Sequence, residues 1–166
     1  MKKILFAIII SGIFATGCLN SAKQKAFDFN QKIAAASDTL LSKGKEFGMA
    51  LNTASQDHDF SKIAVICNYL NQFINRKITE ITALENVGGS EKFKTAALEF
   101  LNFEKKGIEE NFMPFAKMNE NTTAEEIETA RKNLLQSSEQ ESDLLKKVQD
   151  TQQEFAKMNG LKLKEN

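Results

Sequence analysis

Apolar residues recur along this chain at gaps of three and four, the period of an amphipathic helix. Four such stretches follow one another. The first covers residues 21–55, with Phe27, Ile33, Ala34, Leu40, Leu41, Phe47 and Leu51 along one side. The second runs to about residue 87 on Ile63, Cys67, Leu70, Ile74, Ile78, Ile81 and Leu84. The third uses Phe93, Ala97, Phe100, Leu101, Ile108 and Phe115. The fourth uses Ile127, Leu134, Leu145, Val148, Phe155 and Met158. No segment alternates with the strand period, and no internal repeat is present.

The residues between these stretches are helix breakers and caps. Asp57-His58-Asp59 is the first break, and either Asp can cap the next helix. Gly88-Gly89 ends the second stretch, and Ser90 can cap the third. Pro114 should kink or shorten the third helix, because it lacks the N–H its ladder needs. Residues 119–123 form the last break. Thr123-Ala124-Glu125-Glu126 has capping-box spacing, with Glu126 placed to reach back. Gly160 is a C-terminal stop. Short breaks force neighbouring helices to run antiparallel. The expectation is an all-α protein: an antiparallel up-down-up-down four-helix bundle with long helices over residues 25–160, then a tail over 161–166.

The N-terminus follows a different pattern. Lys2 and Lys3 precede an almost wholly apolar run of eleven residues from Ile4 to Phe14. A membrane-spanning helix needs about 20, so this run has the form of a secretory leader over residues 1–17. Its end, Ala15-Thr16-Gly17-Cys18, resembles the lipobox of bacterial lipoproteins, with Ala15 where Leu is more usual. That resemblance covers residues 1–18. It implies cleavage before Cys18 and a thioether-linked diacylglyceryl group on Cys18. Residues 18–24 would then be a lipidated tether. Two or more acyl chains anchor a protein stably, at about 0.8 kcal/mol per buried CH₂. Leu19 replaces the Asp that would retain such a protein at the inner membrane. The expected location is therefore the bacterial cell envelope, at the outer membrane facing the periplasm. The whole chain resembles the small helical lipoproteins of Bacteroidetes and spirochaetes in size and in its Lys/Asn/Phe-rich style. That resemblance implies no activity.

Composition narrows the function further. Loss of residues 1–17 leaves 149 residues, enough for one domain with a real core, with 20 basic and 22 acidic side chains. There is no basic excess to neutralise a phosphate backbone, so nucleic acid is not an expected partner. Cys67 is left without a disulfide partner and lies in an apolar run, where a free Cys behaves as a small hydrophobe.

Catalytic chemistry is poorly served. His58 is the sole histidine and sits in a break. The Glu-x-x-His pairs of di-iron bundles are absent. Asp57-His58-Asp59 lacks a fourth donor for a metal. No Gly-rich phosphate loop is present, so no metal and no cofactor is expected.

One irregularity stands out. The heptad series Ile127, Leu134, Glu141, Val148, Phe155 carries an acid at its centre, and Lys77 falls between Ile74 and Ile81. Antiparallel counting brings Asp38 and Asn102 to the same level. Asp38, Lys77, Asn102 and Glu141 would form a polar layer across the bundle. The alternative is a slight rotation that seats Ile78 on the seam and turns all four to water. Phe29 and Phe103 fall off the main stripes and, exposed together, would mark a docking patch. The expected function is a non-enzymatic module that is held to a membrane through Cys18 and binds a protein partner. A carrier of a small apolar molecule is the alternative.

Overall fold

The computed structural model describes residues 21–163, apart from the side chains of Ser138 and Glu139. These residues are helical, with no strand among them. The first helical stretch is α1 (Ser21–Asp57) and the second is α2 (Ser61–Thr82). The third comprises α3 (Glu91–Gly107), a π-helical turn (Ile108–Phe112) and α4 (Met113–Ala116). The fourth comprises α5 (Ala124–Gln136) and α6 (Ser138–Met158). No described helix is long and apolar enough to cross a membrane. Cys18 lies outside the described residues.

The breaks follow the local chemistry. After α1, His58 takes a left-handed backbone at φ 58°. Asp57 Oδ1 accepts the Asp59 N–H and Asp59 Oδ1 accepts the Ser61 N–H, both at 3.0 Å. Asp59 thereby satisfies a donor in the first turn of α2. At the far end, α2 stops at Thr82, earlier than the apolar period suggests. Lys94 explains this: its ammonium donates to the Thr82 and Leu84 carbonyls, at 2.8 and 2.5 Å, satisfying acceptors that a continuing helix would use. Ser90 does not cap α3; its buried hydroxyl accepts the Val87 N–H at 2.9 Å and tightens the turn instead. The capping box before α5 forms as spaced. Thr123 Oγ1 accepts the Glu126 N–H, and the Glu126 carboxylate accepts the Thr123 N–H at 2.8 Å.

Two irregularities interrupt the long helices. The third stretch gains a residue in its π turn just before Pro114, the residue that removes a donor from the helical ladder. The fourth stretch divides at Ser137, which stays in the right-handed region at φ −79°, ψ −12°. Its hydroxyl donates to the Leu134 carbonyl at 2.9 Å and lies 3.5 Å from the Asn111 amide of the π turn.

The core has a phenylalanine cluster towards each end. Phe29, Phe93 and Phe155 bring together α1, α3 and α6, with ring centroids 5.6–6.2 Å apart. Phe29 is therefore a core residue and not an exposed one. Phe103 is half-buried, so the two do not form a surface patch. Phe47 of α1 stacks on Phe112 at 3.9 Å and meets Phe115 edge-on at 6.1 Å. Cys67 is buried in the core, and burial pushes its thiol up to about 11, which keeps it protonated and unreactive.

Candidate functional site

Helix α3 carries its buried stripe on Phe93, Ala97, Phe100, Leu101 and Ile108. Glu104 falls between Leu101 and Ile108 on that same stripe, three residues after one and four before the other. Its carboxyl is drawn inward with the apolar residues around it. Glu104 Oε1 is buried and has no hydrogen-bond partner. Burial, and then the charge of Glu141 on α6, push its carboxyl up to about 8. Burial also raises the Glu141 carboxyl above the usual range. Removing water from a carboxylate disfavours the ionised form, and a second carboxylate nearby adds to the effect. The pair can therefore hold a proton close to neutral pH.

The four residues expected in a polar layer have different surroundings. Glu141 is half-buried and electrostatically coupled to Glu104. Asp38 on α1 is half-buried, with Oδ1 shielded from solvent. Lys77 turns along its own helix to Glu80 at 2.6 Å, with its ammonium 5.7 Å from the Phe73 ring centre. Asn102 is exposed and donates to the Leu98 carbonyl on its own helix at 2.8 Å. The side chain facing Glu141 electrostatically is thus an acid, Glu104, one not singled out by the seven-residue count.

A second buried polar contact lies further along α6. Gln152 donates to Asn30 Oδ1 on α1 at 2.8 Å, and both residues are almost fully buried. Near it, at the junction of α1, α3 and α6, the free space amounts to about 10 Å³, lined by Ile33, Phe93, Val148 and Gln152 among others. That is room for one water and not for an apolar ligand.

A larger space lies at the surface, between the π turn, α4 and α5. It is an open cleft of about 490 Å³. Pro114, Met118 and Ala130 supply apolar lining, while Glu110, Glu125 and Asn133 supply polar lining. Glu126 also borders it, but its carboxylate is engaged by the Thr123 N–H and hydroxyl, and these bonds lower its proton affinity. The cleft's lining residues include carboxylates and Thr hydroxyls but no His, Cys, Ser or Lys. Among the described residues, no group of three or more His, Cys, Asp or Glu side chains is arranged to hold a metal ion. His58 is exposed in its turn.

No family model matches this chain, and no curated protein or solved structure matches it either.

Proposed function

We propose that this chain is a bacterial envelope lipoprotein. Its helices form an antiparallel up-down-up-down bundle that is tethered through a lipid on Cys18 and serves as a non-enzymatic docking or structural module for a protein partner. The observation that carries the reading is the leader ending in Ala15-Thr16-Gly17-Cys18. The helical contacts are consistent with the topology. Asn159, just beyond α6, donates to the Gly88 carbonyl in the α2–α3 turn at 2.9 Å. Arg131 of α5 donates to Ser55 near the end of α1 at 2.8 Å. A Cβ on Gly160 would stand 3.9 Å from the Lys23 ammonium, so the chain end lies beside the first turn of α1.

Helix α1 begins at Ser21, three positions after Cys18, so residues 21–24 are helix and not slack tether. Three residues span about 10 Å at most. A bundle so attached stands directly on its membrane, at the outer membrane facing the periplasm on the Leu19 rule. The partner-binding reading is preferred to the carrier because the α1–α3–α6 junction holds only about 10 Å³ of free space.

The test is mass spectrometry of the native processed protein together with membrane fractionation. The expected result is an N-terminal peptide beginning at Cys18 and carrying a diacylglyceryl mass, with Cys18→Ser releasing the protein into the soluble fraction. An uncut leader or an unmodified thiol at Cys18 refutes the anchor.

A further inference from the structure

We propose that Glu104 and Glu141 form a proton-operated latch across the α3–α6 contact. It is closed while the pair holds a proton and loosened when both carboxyls are ionised. The inference goes beyond the envelope reading and does not depend on it.

Three observations support it. First, Glu104 Oε1 is buried without a hydrogen-bond partner, so the ionised form has no donor to stabilise it there. Second, among the described residues the charge that bears on the Glu104 carboxyl is that of another acid, Glu141. On α6, Lys147 is bound to Glu99 at 2.5 Å and Lys146 to Asp150 at 2.6 Å, while Asp143 is exposed. On α3, Lys106 faces Glu110 at 3.8 Å, and the charge acting on Glu104 is that of Glu141 rather than of its neighbour Lys105. On α2, Lys77 and Arg76 both face Glu80, and Lys62 lies beside Asp59. On α5, Arg131 donates to Ser55 through one terminal nitrogen while its Nε is buried without a hydrogen-bond partner, and on α1 Asp38 is half-buried. Third, the start of α6 has few apolar anchors. Residues 136–143 contain no apolar side chain, and the first two beyond them, Leu144 and Leu145, are only half-buried.

A protonated carboxyl can donate to its neighbour, whereas two carboxylates in a water-poor contact repel. Loss of the last proton therefore removes an attraction and adds a repulsion at one place. The start of α6 gives way first, with Ser137 as the pivot.

Hydrogen exchange on the full chain tests this. Protection at residues 140–147, corrected for intrinsic exchange, should fall by up to about tenfold per pH unit between pH 5 and 8, the limit for one titrating proton. Amides around Gln152 should hold their protection. Glu104→Gln and Glu141→Gln should each flatten the profile. An unchanged pH profile in both variants overturns the latch, as does an equal response along all of α6. Carboxyl ¹³C NMR of Glu104 gives an independent reading that needs no variant. A midpoint well above 4.5 supports the latch, and one at the ordinary Glu value overturns it.

Discussion

The two buried polar contacts of α6 answer the same problem differently. At one, Asn30 and Gln152 meet as neutral amides with a 2.8 Å hydrogen bond, beside the packed rings of Phe29, Phe93 and Phe155. At the other, the charge of Glu141 bears on Glu104, whose buried oxygen is left unsatisfied, beside a helix segment with no apolar side chains. A satisfied neutral pair adds specificity at little cost, whereas an unsatisfied ionisable pair makes stability depend on the proton supply. The first region is built to be rigid. The second is conditional.

The comparison makes graded predictions. Phe155→Ala should have the largest effect, a loss of about 3–5 kcal/mol in urea unfolding, because a fully buried ring leaves a cavity among its neighbours. A much smaller loss would mean that the ring cluster is not the rigid part.

The acid pair comes next. Burial pushes the folded-state carboxyl of Glu104 up to about 8, above its ordinary value of 4.5, so between these values the folded chain holds more protons than the unfolded one. Stability from this group is therefore full below 4.5 and lost as pH rises through 8, by on the order of 4–5 kcal/mol at most. Glu104→Gln should remove that slope. A wild-type stability that rises steadily from pH 5 to 8 would contradict the sign.

Gln152→Ala strips the Asn30 carbonyl oxygen of its donor and should cost about 1–3 kcal/mol by thermal unfolding, at every pH from 5 to 9. A pH-dependent cost would erase the distinction between the two contacts. Thr123→Ala, which removes the α5 cap, should be the mildest at about 1 kcal/mol. Its effect should be confined to exchange in the first turns of α5, since Thr123 touches neither contact.

The periodicity that marks the helices also explains why the acid pair was only half visible. The capping box at Thr123, the turn glycines and the missing N–H of Pro114 all act within a few residues, and each is legible from local chemistry. Glu141 stood out because it interrupts a heptad series of apolar residues. Glu104 interrupts the α3 stripe in the same way, but Leu101 and Ile108 already satisfy a seven-residue gap, so the acid between them passes unnoticed. A count at three and four from Leu101 would have found it. Lys77 misled for the opposite reason. Its heptad position is apolar, but Glu80 one turn on holds the long flexible side chain on its own helix. The stop of α2 at Thr82 and the division at Ser137 depend on Lys94 and Asn111, side chains distant in sequence, and no local pattern announces them.

The length of α1 has one more consequence. At 37 residues it is a rod of about 55 Å. On the lipid-anchored reading its foot is held within about 10 Å of the lipids. Its tip can then rise no higher than about its own length plus that leash, like the hand of a gauge. Anything meeting that tip must come below the same ceiling, so distance alone sorts the candidates before any side chain is consulted.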